Sequence, residues 1–367
     1  MKGPVGFVGW RGMVGSVLMQ RMLEENDFVD IPERHFFSTS QVGQKGPDIA
    51  EGRKLEDANS VEALKKCEII VTCQGGDWTK EMYPKIRADG WKGIWIDAAS
   101  TLRMDPESVI VLDPINGDLI KKAISDGCKT FVGGNCTVSL MLMACHGLFK
   151  NNLVEWVSSM TYQAASGAGA KHMQELIRQM KFIGEKVDPA TTALELDRIV
   201  TERMDRADFP KENFGAPLAG SLIPWIDIEW GSGRTKEEWK GYAEANKILG
   251  TKTPIPIDGL CVRVGAMRCH SQALLIKLTR DVPLDKLKFM IGREANEWAK
   301  YVFNDKKETL ASLTPAAVSG TLDVAIGRLH KAMYGPEYLL AFTVGDQLLW
   351  GAAEPVRRTL QIFLGNL

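Results

Sequence analysis

The segment VGFVGWRGMVG, residues 5–15, decides the fold of this chain. A strand-like run, VGFV, leads into glycines at positions 9, 12 and 15, and residues Gly15–Glu25 continue with helical spacing. Glycines at these points permit a tight turn, a close approach of the backbone to a phosphate, and a helix amino terminus directed at that phosphate. The spacing differs from the common G-x-G-x-x-G, and a glycine triplet alone could be an ordinary turn. Between a strand and a helix, it predicts a dinucleotide site.

Beyond this turn, short apolar runs alternate with helical patterns as far as residue 134. We expect strands at His35–Ser38, Glu68–Cys73, Ile94–Asp97 and Val109–Leu112, and helices near Val61–Lys66 and Thr79–Asp89. Strands that alternate with helices form parallel sheets through right-handed crossovers. The pattern predicts an α/β fold whose first domain, residues 1–134, is a Rossmann-type dinucleotide-binding domain.

The pattern changes around Phe131–Thr137, and we place a second, mixed α+β domain at residues 135–346. Its expected elements are helices at Ser139–Phe149, Lys171–Lys181 and Thr235–Leu249 and strands at Val154–Ala164, Gly259–Met267 and Ser271–Thr279. A solvated face is the ordinary interpretation of the many charges of the Thr235–Leu249 helix. Residues Gln347–Leu367 predict an amphipathic helix that packs back on the first domain.

The end of the second predicted strand indicates which dinucleotide binds. NAD enzymes usually place an acidic residue there for the ribose 2′-hydroxyl. Here the strand ends in Phe36-Phe37-Ser38-Thr39-Ser40, with hydroxyls in that place, and Arg11 lies in the glycine turn. A carboxylate would repel a 2′-phosphate, whereas hydroxyls and a guanidinium would bind it. The sequence therefore predicts NADP.

A second segment, Gly133-Gly134-Asn135-Cys136-Thr137, places a cysteine at the start of the next predicted helix. The positive end of a helix dipole lowers the pKa of a thiol, so Cys136 is a candidate nucleophile. For a single cysteine, burial in a core is the commoner role, but two flanking glycines and a polar pair are unusual around a core residue. The chain has seven cysteines and no C-x-x-C pair, so we predict no metal site.

Composition narrows the remaining classes. The 367 residues carry a formal net charge of −1, and 45% of them are apolar. Neither nucleic acid nor an anionic membrane surface is expected as a main partner. No apolar run approaches the roughly 18 residues of a membrane-spanning helix, and no signal peptide is recognisable at the start. We expect a soluble cytoplasmic protein.

The chain resembles the bacterial aspartate-β-semialdehyde dehydrogenases over nearly its whole length. Eight segments carry the resemblance: GWRGMVG at 9–15, FSTS at 37–40, CQGG at 73–76, GGNCT at 133–137, YQAASG at 162–167, GSLIPW at 220–225, RVGAMRCH at 263–270 and FTVGDQ at 342–347. One departure is SGAG at 166–169, where the family pattern suggests an all-glycine run. The resemblance implies a fold like that of glyceraldehyde-phosphate dehydrogenase, in which the second domain is catalytic and forms a homodimer.

The resemblance also implies roles for individual residues. Cys136 would form a thioester, His270 would act as general acid and base, and Gln163 would orient the substrate. The substrate would also contact Asn135. Arg263 would bind the substrate carboxylate, and Glu237 would bind its amino group. Arg103 and Lys240 would hold the phosphate. The NADP site would comprise Gly9, Arg11, Gly12, Met13, Val14, Ser38, Thr39, Gln74, Ser166, Gly167 and Gln347.

The implied reaction is the NADPH-dependent reductive dephosphorylation of L-aspartyl-4-phosphate to L-aspartate-4-semialdehyde. It serves biosynthesis of lysine, through diaminopimelate, and of threonine, methionine and isoleucine. The residue types suit this chemistry, since a thiolate displaces phosphate and a histidine with a near-neutral pKa manages protons.

Three alternatives remain at this stage. N-acetyl-glutamyl-phosphate reductases and glyceraldehyde-phosphate-type dehydrogenases share the fold and the cysteine, but an acetylated amine would have no need of Glu237. A nucleotide-binding sensor could use Cys136 as a redox switch. For Arg263 by itself, a salt bridge within a strand is the alternative to a carboxylate site.

Overall fold

A computed structural model of the chain describes residues 3–185, 187–188 and 190–367. Two sheets organise these residues, a seven-stranded sheet in the first third and an eight-stranded sheet beyond it. Within the described residues, no helix is long and apolar enough to cross a membrane.

The first sheet is entirely parallel, with the order β3-β2-β1-β4-β5-β7-β6. Its strands are β1 (Val5–Val8), β2 (Arg34–Ser38), β3 (Glu56–Asp57), β4 (Ile69–Thr72), β5 (Ile94–Asp97), β6 (Ser108–Val111) and β7 (Thr130–Gly133). The chain moves outward from β1 to β3 and then crosses to β4 on the other side of β1. Ligands of open α/β sheets bind at such a reversal, beyond the carboxyl ends of the strands.

Helices cover both faces of this sheet, as the continuous burial of its central strands requires. They are α1 (Met13–Glu24), α2 (Val61–Leu64), α3 (Gly76–Ala88) and α4 (Asp113–Ser125), with 3₁₀ turns at Asp27–Asp30 and Asp48–Ala50; the next helix, α5 (Cys136–Lys150), leaves this sheet for the core of the second. Phe7 and Phe36 stack on one face at 5.2 Å between ring centroids. Trp78 and Trp95 stack on the other at 5.6 Å. The predicted α/β alternation is confirmed, and α3 begins three residues before the expected Thr79.

The second sheet is mixed, with the order β15-β16-β17-β14-β8-β13-β9, and β12 pairs with β8. Its strands are β8 (Val154–Gln163), β9 (Leu222–Ile223), β12 (Ile257–Asp258), β13 (Cys261–Val264), β14 (Cys269–Leu278), β15 (Ala299–Tyr301), β16 (Val324–Lys331) and β17 (Tyr338–Asp346), and a separate hairpin joins β10 (Glu229–Gly231) to β11 (Arg234–Thr235). The predicted strand Gly259–Met267 is shorter than expected, because the chain leaves the sheet after Val264.

Seven further α-helices follow among the described residues, and the last of them, α12, lies on the first sheet. They are α6 (Ala170–Gly184), α7 (Ala193–Asp205), α8 (Lys236–Leu249), α9 (Leu284–Arg293), α10 (Lys306–Ser312), α11 (Pro315–Val318) and α12 (Glu354–Leu364), with a 3₁₀ turn at Ala165–Ala168 and a π-helix at Leu349–Ala353. Helix α5 is buried along most of its length, in the core that faces the second sheet.

The carboxyl-terminal helix α12 packs on the first sheet, where the ring of Phe363 meets that of Phe131 at 4.9 Å between centroids. Arg357 on α12 forms a buried pair of hydrogen bonds with Asp27. A chain that has left the first sheet for more than 200 residues therefore returns to it.

The helix expected at Thr235–Leu249 is present, but a solvated face is the wrong interpretation of its charges. Glu237, Glu238, Lys240 and Glu244 are all buried. Thr235 caps the helix and Glu238 completes a capping box, so local signals explain where the helix begins. They do not explain why charged residues point inward.

Candidate active site

The glycine turn after β1 is built by steric necessity. Gly9 has φ +71°, and a β-carbon there would lie 2.3 Å from the Gln74 nitrogen. At Gly15 a β-carbon would lie 2.2 Å from the Gly9 oxygen. The turn thus brings the ends of β1 and β4 together at the reversal of the sheet. Gly12 precedes the helix, so Met13 and Val14 form its first turn, where amide N–H groups are available to an anion.

Beside this turn, Arg11 reaches the end of β2. Its Nη2 donates to Ser38 Oγ at 2.8 Å, and its guanidinium lies over the Trp10 ring. A cavity of about 280 Å³ opens there, and the described residues lining it include no acidic side chain. They are Gly9, Trp10, Arg11, Gly12, Phe37, Ser38, Thr39, Cys73 and Gln74. Hydroxyls and a guanidinium around such a cavity fit a phosphate-bearing ribose.

The second cluster of site residues begins at the amino terminus of α5. Asn135 is its N-cap, and the side-chain oxygen accepts from the Thr137 and Val138 amides at 3.0 and 3.2 Å. Cys136 is the first residue of the helix. Its Sγ lies 3.2 Å from Nε2 of His270, which comes from β14, 134 positions along the chain. The structure therefore brings together the predicted nucleophile and the predicted acid-base residue.

One backbone contact fixes which nitrogen of His270 carries a hydrogen. The Ala164 N–H donates to Nδ1 at 3.0 Å, so Nδ1 must be unprotonated. In a neutral ring the hydrogen then resides on Nε2, which faces the sulfur. His270 is thus oriented to donate a hydrogen bond to Cys136.

The pKa values of this pair differ from the expectation. Burial raises the pKa of the Cys136 thiol to about 12; Glu237 adds to the rise, and Arg103, Lys240 and Arg263 oppose it. The predicted lowering is therefore wrong for the free protein, because desolvation outweighs nearby positive charge. Burial and Arg263 lower the pKa of His270 to about 3, so the near-neutral value is also wrong. The free pair is a thiol beside a neutral imidazole.

Arg263 lies next to this pair and has no ion-pair partner among the described residues. It sits opposite Gln163 in the register of β13 with β8 and is 6% exposed. Within the described ranges its guanidinium makes one hydrogen bond, from Nη1 to the Ala164 oxygen at 2.7 Å, and burial lowers the pKa of Arg263. The part of the chain that the structure describes contains no strand salt bridge of Arg263, which was the alternative considered above. Burial of a guanidinium without a carboxylate partner costs desolvation free energy, and an anionic ligand would offset that cost.

Gly167 allows this packing. A β-carbon there would lie 2.9 Å from Arg263 Nη1 and 3.1 Å from His270 Cε1. Any larger residue would separate the two side chains or displace the loop. The segment SGAG at 166–169 departs from an all-glycine run, but it keeps Gly167, the glycine that this packing requires.

The inward face of α8 supplies opposite charges. Glu237 accepts from Asn135 Nδ2 at 2.9 Å and Gln163 Nε2 at 3.2 Å, and Lys240 donates to it at 2.9 Å. Burial opposes ionisation, yet Lys240 and the two amides hold the pKa of Glu237 below its ordinary value. Lys240 also donates to Asp227 at 2.7 Å, and Asp227 has φ +71°. The strained Asp227 was not anticipated from the sequence.

Arg103 approaches from the first sheet. Its Nε donates to the Gly133 oxygen at 2.6 Å, and Nη1 donates to Glu244 on α8 at 3.2 Å. Two N–H groups of the guanidinium are therefore occupied, which leaves Nη2 for an anion.

The carboxyl-terminal π-helix packs directly against the nucleophile. A β-carbon on Gly351 would lie 2.8 Å from the Cys136 β-carbon. One turn earlier, Gln347 donates from Nε2 to Ser166 Oγ at 2.8 Å. π-helices are rare and often mark functional sites. Gly351 gave no sequence signal, since its role depends on a neighbour 215 positions away.

The predicted cofactor residues form two groups. Those in or beside the glycine turn lie at the ends of β1, β2 and β4, whereas Ser166, Gly167 and Gln347 lie beside Cys136, which follows β7. The strands β1 and β7 are three steps apart in the sheet, or about 14 Å at roughly 4.8 Å per step. Among the described residues no hydrogen bond joins the two groups, and a ligand that touched both would lie along the carboxyl edge of the sheet.

Ala164 is the main contributor that sequence reasoning missed. Its N–H orients His270 and its oxygen holds Arg263. Backbone groups leave no trace in residue identity, so only its place at the end of β8 could have suggested it. In the described ranges, no group of three or more histidine, cysteine or acidic side chains is placed to hold a metal ion.

Two family models match the chain. A model for the NAD-binding domain of semialdehyde dehydrogenases matches residues 4–123, and one for their dimerisation domain matches residues 145–350. Together they cover most of the chain, including the glycine turn and the segments that carry Gln163, Glu237, Arg263 and His270, whereas Cys136 lies between the two matches.

Solved structures give a consistent result. The chain is 51% identical to an aspartate semialdehyde dehydrogenase from Francisella tularensis, with a TM-score of 0.95 over 99% of this chain and 100% of that one. It shares its fold with aspartate semialdehyde dehydrogenase II from Vibrio cholerae, at 22% identity, TM-score 0.78 and 99% coverage of both chains. The fold also matches an NADP-bound aspartate semialdehyde dehydrogenase from Candida albicans, at 14% identity, TM-score 0.66 and full coverage of both.

Proposed function

Since the chain belongs to the aspartate-semialdehyde dehydrogenase family of oxidoreductases, which bind a nicotinamide dinucleotide, we propose the specific reaction that its site performs. It reduces L-aspartyl-4-phosphate to L-aspartate-4-semialdehyde with NADPH, through a thioester on Cys136. The product would supply lysine, threonine, methionine and isoleucine biosynthesis.

One observation carries this proposal. The Cys136 sulfur lies 3.2 Å from His270 Nε2, beside the buried guanidinium of Arg263, which has no ion-pair partner among the described residues. A nucleophile, a hydrogen-bond donor and a carboxylate receptor thus surround one space. A bidentate guanidinium suits the α-carboxylate of an amino acid, and Glu237 is the acidic group available for its amino group. That pairing favours aspartyl phosphate over an N-acetylated substrate.

The first chemical step forms the thioester. Sulfur attacks the acyl carbon, the bond from that carbon to the phosphate oxygen breaks, and the thiol proton leaves with hydrogen phosphate. Because burial raises the pKa of the Cys136 thiol, the protonated thiol is the starting form, and the departing phosphate is its proton acceptor. Arg103 and Lys240 supply cations for that phosphate.

The second step is reduction, in which bound NADPH supplies the hydride. Collapse of the reduced adduct releases the aldehyde and a thiolate. The Nε2–H of His270 donates to that sulfur and so stabilises the charge that develops on it. His270 is therefore a donor to the leaving thiolate, and the thiolate recovers its proton from solvent.

NADP is proposed over NAD because of the cavity at the end of β2. Arg11, Ser38 and Thr39 line it without an acidic neighbour. Arg11 is already hydrogen-bonded to Ser38, so its orientation is set before a ligand arrives. We further propose that the protein acts as a homodimer, as the match to a dimerisation domain suggests.

The phosphate requirement of the reverse reaction tests the proposal. Oxidation of aspartate semialdehyde with NADP, measured as initial rate in phosphate-free buffer, should need added phosphate, and arsenate should substitute for it. Phosphate is required because it must release the acyl group from the thioester. Full turnover without phosphate would show hydrolysis by water, as in an ordinary aldehyde dehydrogenase.

Two variants sharpen this test. Arg103→Leu should raise the phosphate concentration needed for half-maximal rate while NADPH binding stays almost unchanged. Arg178→Leu is the matched control, because Arg178 is an exposed arginine paired with Glu212. If both variants behave alike, the role of Arg103 is wrong.

A further inference from the structure

Glu244 is a buried carboxylate that the proposed chemistry does not use. It is 2% exposed and lies on the inward face of α8, two turns beyond Glu237. Its Oε1 accepts from Arg103 Nη1 at 3.2 Å, and its Oε2 accepts from the Asn135 amide at 2.7 Å. Each oxygen is therefore committed to a different part of the site.

Both partners of Glu244 are themselves constrained. Arg103 is also tied to the Gly133 oxygen by Nε. Asn135 caps the helix that begins with Cys136. A single carboxylate thus fixes a predicted phosphate ligand and the residue before the nucleophile, and it joins both to a helix from the second half of the chain.

We infer that Glu244 is a positioning residue that aims Arg103 at the phosphate and holds the nucleophile loop beside it. This inference rests on the proposed function, because it assigns Glu244 to the phosphate half of the same site. With Nε and one Nη1 hydrogen occupied, the guanidinium cannot turn freely, and its Nη2 edge stays available. A fixed donor loses less entropy on binding an anion than a mobile one does.

Simple charge counting gives the opposite expectation. A carboxylate beside an anion site repels the anion, so its removal should tighten phosphate binding. If Glu244 acts by orientation, its removal should instead weaken binding. The direction in which the KM for phosphate changes therefore distinguishes orientation by Glu244 from simple charge repulsion.

The principal variant is Glu244→Gln, which keeps the shape but puts an NH₂ group against either Arg103 or the Asn135 amide. We expect the KM for phosphate to rise at least ~10-fold, while the KM for NADP changes less than ~2-fold. A general loss of structure would affect both constants. Glu238→Gln is the matched control, since among the described residues the carboxylate of this buried glutamate on the same helix accepts from the Thr235 amide of the capping box and from the Cys261 amide, and glutamine can retain the cap.

A second variant, Glu244→Asp, keeps the proposal testable if Glu244→Gln fails to fold. Glu244→Asp keeps the charge and shortens the side chain by one methylene, so it cannot span both partners. If Glu244 acts by orientation, Glu244→Asp should also raise the KM for phosphate. If only its charge matters, that KM should not change, because aspartate keeps the charge. In the background of Arg103→Leu, Glu244→Gln should add little to the KM for phosphate, because Glu244 affects phosphate binding by orienting Arg103.

The outcomes are distinct. A wild-type enzyme that needs no phosphate would refute the proposed function itself. A phosphate-dependent wild type whose Glu244 variants keep or lower the KM for phosphate would overturn the role of Glu244 alone.

Discussion

The glycine turn after β1 and the inward face of α8 contribute to the site in opposite ways. In the turn, Gly9 and Gly15 are required by atoms a few residues away or on the adjacent strand. On α8, Glu237, Lys240 and Glu244 are buried because Asn135, Gln163, Arg103 and Asp227 meet them from distant segments. The conformation of the turn depends on local backbone geometry, whereas the burial of the α8 face depends on tertiary contacts.

The difference teaches where sequence reasoning succeeds. A turn residue is constrained by its own φ and by its nearest neighbours, so a glycine pattern indicates it directly. A charged helix is normally solvated, and burial becomes possible only when partners arrive from elsewhere. Each prediction below tests one side of this contrast or the point where the two meet.

The largest effect is expected at Cys136, where the first sheet ends and the second half of the site begins. Cys136→Ala should reduce turnover to a trace, because among the described cysteines Cys136 is the one whose sulfur lies within hydrogen-bond distance of His270 Nε2. Cys145→Ala and Cys269→Ala should keep most of the activity, measured as initial rate of NADPH oxidation. Substantial activity in Cys136→Ala would rule out the thioester.

On the tertiary side, Arg263→Lys should lower kcat/KM by roughly 100-fold or more, because a misplaced substrate is costly in rate. Lysine keeps the charge but cannot make paired hydrogen bonds to a carboxylate. Arg198→Lys, at an exposed arginine of α7 paired with Glu195, is the control. A near-wild-type Arg263→Lys enzyme would remove Arg263 from the carboxylate role.

The raised pKa of Cys136 has a measurable consequence in the free enzyme. Below its pKa, the thiolate fraction rises about tenfold per pH unit, and an ordinary thiol levels off above about pH 8.5. Because burial raises the pKa of Cys136, its alkylation by iodoacetamide should keep rising through pH 9. The lowered pKa of His270 should leave no inflection near pH 6.5. A plateau at neutral pH would instead indicate a thiolate–imidazolium pair.

For the glycine turn, two glycines with positive φ provide a matched pair of variants. Gly9 and Gly43 have φ +71° and +81°, but a β-carbon at Gly43 would have no neighbour within 4 Å. Both alanine variants carry the strain of a left-handed backbone, and only Gly9→Ala adds a collision with the chain at Gln74. It should lose about 2 kcal/mol more in the free energy of unfolding by urea. Equal losses would mean that the close approach is unimportant.

The smallest expected effect concerns cofactor choice. We expect kcat/KM to favour NADPH over NADH by at least ~10-fold, about 1.4 kcal/mol. Arg11→Ala should narrow the preference by removing the guanidinium, and Thr39→Asp should narrow it further by repulsion of the 2′-phosphate. Equal wild-type values with the two cofactors would contradict the prediction of NADP.

Much of the fold was predictable because its signals are periodic and local. Apolar runs between helical patterns predicted the parallel sheet, and the strand at Ile94–Asp97 was placed to the residue. The length of β13 was not predictable in this way, because Gly265 to Met267 continue the apolar pattern although the chain has already turned away from the sheet.

The sequence alone determined the glycine turn, the hydroxyls at the end of β2 and the glycine-flanked cysteine at a helix start, since each depends on neighbours within a few positions. Tertiary structure decided what surrounds them. Desolvation reversed the expected pKa shifts of Cys136 and His270, and the Ala164 N–H selected the hydrogen on Nε2. The charges of α8 turned inward because their partners lie elsewhere in the chain. Burial and long-range pairing are properties of packing, and no single segment contains them.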